Sequence, residues 1–338
     1  MNTQKMPVVN WAVVLLCLCI IQSSAWANAQ SLTQNPKIVS FIDTMVKKHS
    51  FDRKELVGIF SRVEVLPEII EKITRPAEAM PWHRYRKIFM QEERIAQGRE
   101  FWQKNEQVLR EAEKKYGVPP EIIIAIIGVE TRYGRHTGGF RVLDSLTTLA
   151  VDYPRRSKFF TKEMEEFLLL TRGEGFDPLS VEGSYAGAIG KPQFMASSYR
   201  RYAVDFDGDG VRDLLNNSSD AIGSVANYLN RHGWKRGQPV VTKAAIKGKV
   251  GKRLLKKGFK PQTTLAEFKR QGITSRERLN QDTKSALFRL EAEKEMEYWL
   301  GLDNFYAITR YNHSALYAMA VYQLAQAIAE SRQNIAAK

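Results

Sequence analysis

The sequence predicts a mainly α-helical protein of the α+β class, with a small mixed α/β segment inserted late in the chain. Apolar residues recur at three- and four-residue spacing over residues 35–108, as Ile38 and Phe41 illustrate. Residues 118–133 are apolar almost all round, which is typical of a buried central helix. Residues 286–310 alternate in polarity and are rich in aromatic side chains, which favours strands.

The composition is that of a folded, multi-lobed protein. The chain has 338 residues, of which 43% are apolar and 26% are charged. These values exclude a disordered, collagen-like or coiled-coil chain. The length exceeds what one compact core usually holds, so we expect two or three lobes. Beyond the first thirty residues no apolar run reaches the length of a membrane-spanning helix, so the body is predicted to be soluble.

The N-terminus has the pattern of a signal peptide covering residues 1–29. Lys5 is its only charged residue, and residues 8–21 form an apolar run that only Asn10 interrupts. Small residues at Ala-x-Ala spacing then suit cleavage after Ala27 or Ala29. The alternative is an uncleaved membrane anchor, for which the apolar run is short.

Both cysteines lie inside this segment. Leucine precedes Cys17 and Cys19, whereas a lipid-modified cysteine normally follows small residues. We therefore expect a soluble, exported, periplasmic protein rather than a lipoprotein. Cleavage would leave no thiol, so packing rather than disulfides must stabilise the fold.

The formal net charge of +14 requires an anionic partner or a tolerant surface. Nucleic acid is the usual partner of a basic protein, but export argues against it. An anionic envelope polymer or a membrane face would respond to the same field. Basic residues cluster at Lys243, Lys247, Lys249, Lys252, Arg253, Lys256, Lys257 and Lys260. The cluster is interpreted either as a solvated face or flexible insert, or as a surface that holds an acidic polymer.

The remaining elements follow from local signals. Pro119 and Pro120 suit the start of the helix at residues 118–133, and Gly134 suits its end. Residues 235–282 are rich in Lys, Gly and Thr and predict short irregular elements. Further helices are predicted at residues 140–151, 157–171, 197–204, 220–231 and 314–328.

Glu130 is the main candidate for chemistry. It lies near the end of the apolar helix, where burial is expected to raise the pKa of its carboxyl. A raised pKa is what a general acid needs at neutral pH. The alternative is a structural ion pair with Arg132 or Arg135.

A stretch of small residues at positions 183–190 precedes Gln193. Glycine and alanine there would let the backbone approach a bulky ligand closely. The alternative is a tight turn for helix packing.

Residues 205–216 have the spacing of a calcium-binding loop. Asp205, Asp207 and Asp209 occupy positions one, three and five, Gly210 occupies position six, and Asp213 occupies position nine. Position twelve lacks the usual glutamate. A structural Ca²⁺ is therefore predicted, against the alternative of a polar turn with aspartate caps.

Taken together, these motifs resemble the lytic murein transglycosylases of the B type, which have a lysozyme-like core. The resemblance extends from about residue 82 to residue 322 and includes Glu130-Thr131-Arg132, the segment 184–193, the calcium-type loop and Tyr311-Asn312. It implies a helical lobe at residues 30–115, a lysozyme-like catalytic core at 116–234, a small mixed insert at 235–310, and a helix at 311–338 that completes the groove and the helical lobe.

The resemblance also implies an activity. The family cleaves the β-1,4 bond between N-acetylmuramic acid and N-acetylglucosamine in peptidoglycan and leaves 1,6-anhydromuramoyl ends. One catalytic glutamate corresponds to Glu130, and a later aspartate, Asp220, joins the calcium loop. The residues implied for the glycan groove are Tyr85, Arg155, Arg156, Ser184, Gln193, Tyr311, Asn312 and Tyr317.

The sequence leaves two alternatives open. One is a hydrolytic muramidase of the same fold, which uses water. The other is a non-catalytic module that binds peptidoglycan. Peptidoglycan strands are the expected partner, with no nucleic acid and no organic cofactor. Partner proteins of the envelope and peripheral membrane association stay open.

Overall fold

The computed structural model describes residues 32–74, 80–248, 250–255 and 257–336. The predicted signal peptide, with Cys17 and Cys19, lies outside the described residues, as do Lys249 and Lys256 of the basic cluster. Helices dominate the described chain, and strands are confined to short elements, so the mainly α class is confirmed. None of the described helices is both long and apolar enough to cross a bilayer.

The helices fall in the following order. They are α1 (Pro36–His49), α2 (Arg53–Phe60), α3 (Pro67–Ile73), α4 (Trp82–Phe89), α5 (Glu92–Lys104), α6 (Glu106–Tyr116), α7 (Pro120–Thr131), α8 (Val142–Asp152), α9 (Ser157–Glu174), α10 (Ala196–Tyr202), α11 (Ser218–Arg231), α12 (Lys252–Leu255), α13 (Leu265–Arg270), α14 (Asp303–Tyr311) and α15 (Ala315–Ala336). The strands are β1 (Phe140–Arg141), β2 (Glu182–Gly183), β3 (Val241–Ile246), β4 (Thr263–Thr264), β5 (Ile273–Ser275), β6 (Lys284–Glu291) and β7 (Met296–Gly301).

The chain divides into two compact units that are each discontinuous in sequence. The first combines the described residues up to Ile70 with Arg141–Val181, and the second combines Glu71–Phe140 with Glu182–Lys338. Periodicity along the chain does not reveal such an arrangement, because it reports local structure only. The division into lobes predicted from the sequence remains a prediction.

The first unit is helical. Asn35 and Asp52 begin α1 and α2 as N-caps, each accepting a hydrogen bond from a backbone N–H of the first turn. Phe41 of α1 and Phe60 of α2 pack edge to face, with ring centroids 5.7 Å apart. Helices α8 and α9 pack against each other and complete this unit.

Helix α7 is the central element of the second unit. Its isoleucines between residues 122 and 127 are at most 4% exposed, as the apolar sequence predicts. Pro119 is its N-cap and Pro120 its first residue. The helix ends at Thr131, three residues before the predicted stop at Gly134, because Arg132 already adopts a left-handed conformation.

An antiparallel five-stranded sheet, in the order β4-β6-β7-β3-β5, also belongs to the second unit. A small core of its own joins Leu287 and Leu300 of the sheet to Leu265 and Phe268 of α13. The strands expected over residues 286–310 end at Gly301. The prediction is wrong for the remainder, which forms α14 with Asp303 in its first turn.

The imidazole of His232, just after α11, is half-buried against aromatic rings. It stacks on Tyr228 with centroids 4.1 Å apart, and its Nδ1 lies 2.8 Å from the Tyr228 carbonyl oxygen. Burial lowers the pKa of His232, and the cations Arg310 and Arg201 lower it further. The neutral imidazole is therefore the form that the fold stabilises.

Acidification is expected to lower the free energy of unfolding through His232. The unfolded chain takes up the proton near the ordinary pKa of about 6.5, before the folded chain does. This contribution to stability is complete above that pH and is lost as the pH falls toward the lowered folded pKa. Urea unfolding between about pH 5 and pH 7.5 should show this slope. We expect His232→Gln to flatten it and exposed His136→Gln to leave it unchanged; equal slopes in all three proteins would contradict the assignment.

Candidate active site

The carboxylate of Glu130 is held by a tyrosine from the last helix. Tyr317 donates a hydrogen bond from its hydroxyl to Oε1 of Glu130 at 2.6 Å. Tyr317 is buried, whereas Glu130 on the last turn of α7 is half-buried. The Glu130 carboxylate, at the end of an apolar helix, thus has a fixed polar partner and retains partial access to solvent.

The backbone directly after Glu130 is unusual. Arg132 and Tyr133 both adopt positive φ, at 49° and 64°, although neither is glycine. Such a conformation costs about 1–2 kcal/mol per residue. Backbone bonds from Arg132 to the Gly128 oxygen and from Tyr133 to the Ile127 oxygen close the helix end. Residues of this kind persist where surrounding structure fixes them, often at functional sites.

Two side chains brace this turn, and we call them the Arg94–Tyr133 brace. Buried Arg94 on α5 donates from Nη1 to the Gly128 oxygen at 2.7 Å. Tyr133 donates from its hydroxyl to the Arg94 oxygen at 2.8 Å. A Cβ at Gly128 would lie 2.6 Å from the Tyr133 ring, so glycine is required there. The brace fixes the turn that carries Glu130.

The segment before α10 is fastened beside this turn. Thr131 donates from Oγ1 to the Lys191 oxygen at 2.8 Å, and Tyr311 donates to the Pro192 oxygen at 2.5 Å. Gln193 has φ 52° and donates from Nε2 to the oxygens of Thr137 and Gly190, each at 2.9 Å. Among the described residues, its amide oxygen accepts no hydrogen bond that the structure records.

The small residues before Gln193 serve chain packing. A Cβ at Gly190 would lie 2.3 Å from the Leu214 oxygen, so the neighbour that requires glycine there is backbone. Ser184 accepts from the Ala188 N–H at 3.1 Å and holds a tight turn. A Cβ at Gly138 would lie 2.0 Å from the Gly183 oxygen, which brings the loop after α7 against that turn.

The aromatic residues of the site form one cluster. The rings of Tyr311 and Tyr317 stack with centroids 6.3 Å apart. Burial raises the pKa of both hydroxyls, and the negative charge of Glu130 raises each of them further. Tyr85 on α4 is buried and lies near enough to add to the shift at Tyr317. Both phenols therefore stay protonated at neutral pH, as hydrogen-bond donors must.

The structure thus brings Glu130, Tyr85, Gln193, Tyr311 and Tyr317 together within the second unit. Ser184 belongs to the neighbouring turn, and Asn312 directly follows α14.

Arg155 and Arg156 belong to the first unit. They lie on an exposed 3₁₀ turn, Pro154–Arg156. The guanidinium of Arg156 lies 4.1 Å from the Phe159 ring centroid, a cation–π contact that restrains it.

The calcium-type loop contains one tight group of carboxylates. Oxygen atoms of Asp205, Asp207 and Asp209 lie within 4.8 Å of one another. Asp213 lies outside this group and accepts from the backbone N–H groups of residues 215 and 216. Buried Asp220 accepts from the Phe206 and Asp213 N–H groups, at 2.7 and 2.8 Å.

This donor set fits a hard divalent cation. Carboxylate oxygen is the ligand type that Ca²⁺ prefers, and three adjacent carboxylates repel one another without a cation. The other two aspartates shape the loop that presents them.

Several contacts that build the site were not predicted from the sequence. Arg94 carries no sequence signal, because charged residues are rarely buried and nothing local indicates its partner. Thr131 is next to Glu130 in sequence, but its bond to Lys191 joins segments 60 residues apart. Phe194 and Tyr228 pack on the Tyr311 ring, which only the folded chain brings to them.

Comparison with known proteins defines the class. The family described as "Transglycosylase SLT domain" matches residues 33–326, and the chain belongs to this family. The chain is 46% identical over 308 residues to membrane-bound lytic murein transglycosylase B of Escherichia coli, a match covering 88% of this chain and 84% of that protein.

Solved structures agree with this assignment. Soluble lytic transglycosylase SltB1 from Pseudomonas aeruginosa is 49% identical with TM-score 0.84, covering 88% of this chain and 100% of that one. Slt35 of Escherichia coli, in complex with calcium, is 46% identical with TM-score 0.81. The match covers 88% of this chain and 94% of that one. SltB3 of Pseudomonas aeruginosa, in complex with NAG-anhNAM-pentapeptide, is 30% identical with TM-score 0.75. The match covers 86% of this chain and 79% of that one. The lysozyme-like lytic transglycosylase fold implied by the resemblance is confirmed.

The Arg94–Tyr133 brace is expected to contribute measurably to stability. Tyr133→Phe removes the hydrogen bond from the Tyr133 hydroxyl to the Arg94 oxygen, which should lower the free energy of unfolding by about 0.5–1.5 kcal/mol. Denaturant titration measures the change. Tyr306→Phe is the matched control, because among the described residues no hydrogen bond is recorded for that hydroxyl. Equal stability of the two variants would contradict the brace.

Proposed function

We propose that this protein is exported and cleaves the glycan strands of peptidoglycan, with Glu130 as its single acid and base. The observation that carries the proposal is the Glu130 carboxylate, fixed by Tyr317 at the end of a buried helix in a chain of the lytic transglycosylase family. The bond broken is the β-1,4 bond between N-acetylmuramic acid and N-acetylglucosamine. The murein transglycosylase of Escherichia coli supports this substrate class.

In the first step, protonated Glu130 gives its proton to the glycosidic oxygen as the bond from that oxygen to C1 of the muramoyl sugar breaks. The sugar's own N-acetyl carbonyl stabilises the positive charge that develops at C1. Tyr317 then stabilises the carboxylate that remains, because a hydrogen bond to the charged form favours it.

In the second step, the 6-hydroxyl of the same sugar attacks C1. Its proton passes to Glu130, which regains its starting form, and the product is a 1,6-anhydromuramoyl end. A second protein carboxylate, which glycosidases normally need, has no role in this scheme. The anhydro ligand of SltB3 supports the same outcome.

The remaining site residues have proposed binding roles that follow from their free hydrogen-bonding atoms. Gln193 offers its amide oxygen to a sugar hydroxyl, since its amide hydrogens are already bound. Ser184 accepts from backbone and retains its hydroxyl hydrogen for the N-acetyl group. Tyr311 donates to Pro192 and can accept from an acetamido N–H.

Further contacts are assigned by chemical type. Tyr85 and Asn312 are proposed to line the groove. Arg155 and Arg156 are proposed to bind lactyl or peptide carboxylates of the muramoyl unit, because guanidinium groups pair well with carboxylates.

We further propose a structural Ca²⁺ at the 205–216 loop. Asp205, Asp207 and Asp209 supply carboxylate oxygens, with Asp213 and Asp220 as further ligands or as supports of the loop. The calcium complex of Slt35 supports the choice of ion. The ion takes no part in proton transfer, and its role is to hold the loop that precedes α11.

Replacement of Glu130 tests the mechanism. Glu130→Gln is expected to reduce release of anhydro products from cell-wall sacculi by about 10²–10⁴-fold, because the proton donor and acceptor are lost. Glu121→Gln, at the other end of α7, is the matched control and should retain wild-type turnover. Mass spectrometry of the products measures both activity and outcome.

Two results of that experiment would overturn the proposal. Reducing muramic acid ends in the wild-type digest would indicate a hydrolytic muramidase that uses water. No digestion by the wild type, or full turnover by Glu130→Gln, would favour a peptidoglycan-binding module or a different catalytic group.

Calcium removal is expected to lower stability rather than abolish chemistry. At free Ca²⁺ about 100 times its dissociation constant, binding stabilises the folded state by about 2.7 kcal/mol. A chelator should therefore lower the melting temperature by several degrees. Asp209→Asn should respond less, and Asp282→Asn, outside the loop, should respond like wild type. An unchanged melting temperature after chelation would contradict the metal site.

A further inference from the structure

The net positive charge of this protein is concentrated in one segment. Residues 235–290 contain 16 Lys and Arg against three Asp and Glu, while the rest of the chain contains 35 against 34. Residues 235–290 therefore carry +13 of the net charge of +14. A field of this size concentrates anionic partners and accelerates their association.

Part of this charge lies on the helices and loop that pack on the sheet. Helices α12 and α13 direct Leu254, Leu255, Leu265 and Phe268 into the small core of the sheet. Five basic side chains of these helices and of the intervening loop are exposed. We call this surface the basic face, and it is formed by Arg253, Lys257, Lys260, Lys269 and Arg270.

The basic face is not neutralised from within. No ion pair is recorded for its five side chains within the described part of the chain. The nearby carboxylate of Glu267 is occupied as part of the capping box with Thr264 that begins α13. The hydrogen bonds with Thr264 lower the pKa of Glu267, and the charges of Arg270 and Lys257 lower it further.

The chemistry of the face favours a hydrated polyanion over a lipid surface. Peripheral membrane binding usually combines basic residues with apolar side chains that enter the bilayer. Of the large apolar residues that are exposed in the described chain, none lies within residues 235–290. A charged polymer needs no such insertion, because binding can rest on charge alone.

We propose that the basic face is a docking surface for the carboxylates of peptidoglycan peptide stems, separate from the catalytic residues. It would hold the enzyme on the polymer while α7 presents Glu130 to individual bonds. The inference rests on the proposed function only for the identity of the polymer. Peptides of this kind carry carboxylates, and the ligand of SltB3 includes a pentapeptide.

The test measures binding of the full chain to insoluble sacculi, in a Glu130→Gln background so that the polymer stays intact. The test variant carries Arg253→Gln, Lys257→Gln, Lys269→Gln and Arg270→Gln. The matched control removes the same charge elsewhere, at four exposed positions for which no ion pair is recorded among the described residues: Lys54, Arg62, Lys114 and Arg231, each changed to Gln.

We expect the face variant to bind at least about tenfold more weakly at low salt, and the control to bind like the parent. The difference should vanish near 1 M salt, where the screening length is about 3 Å. Equal weakening of both variants would mean that only total charge matters and would overturn the proposal. Unchanged binding by the face variant would overturn it as well.

Further measurements separate a loss of docking from a loss of catalysis, from misfolding and from membrane binding. With Glu130 restored, the face variant should keep its turnover on short soluble disaccharide-peptides, so a failure of catalysis is distinguishable from a failure of docking. Equal melting temperatures exclude misfolding. Binding to anionic phospholipid vesicles that is tighter than binding to sacculi, and is lost in the face variant, would assign the face to a membrane and overturn the proposal.

Discussion

The hydrogen bond from Tyr317 to Glu130 is the constraint on which the site depends. Helix α7 is buried because its sequence is apolar, so the carboxylate at its end emerges where water is scarce. A charge in such a place is costly unless a polar partner satisfies it. Tyr317 meets that need at 2.6 Å and, being buried itself, allows the carboxylate little freedom. The hydrogen bond that offsets the desolvation cost of the Glu130 carboxylate also fixes its position for proton transfer.

The rest of the site holds that arrangement rigid. The Arg94–Tyr133 brace maintains two left-handed residues after the helix, and Thr131 and Tyr311 fasten the neighbouring segment. A mechanism with one carboxylate needs this rigidity, because the same group must reach the leaving oxygen and then the attacking hydroxyl. Positioning of reacting groups is a large part of enzymatic rate enhancement.

Local sequence signals predicted most helices and strands, and tertiary contacts explain where the observed ends differ from the predicted ones. The apolar run before Glu130 identified both the buried helix and the candidate acid. The helix nevertheless ends before Gly134, since Tyr133 is held in place by Arg94, which lies on another helix. Because polarity alternates along residues 286–310, strands were also predicted over residues 303–310, which form a helix instead. The small residues around Gly190 were predicted either to let the backbone approach a ligand or to form a tight turn for helix packing. In the structure, the close neighbour of Gly190 is a backbone carbonyl.

The central claim is that Glu130 is the group that meets the scissile bond. A crystal structure of the Glu130→Gln protein with a muramoyl oligosaccharide tests it most directly. The account predicts the side chain at position 130 within hydrogen-bonding distance of a glycosidic oxygen, with the acetamido group of the muramoyl sugar beside Tyr311. A glycan bound with every glycosidic oxygen out of reach of that side chain would contradict the account.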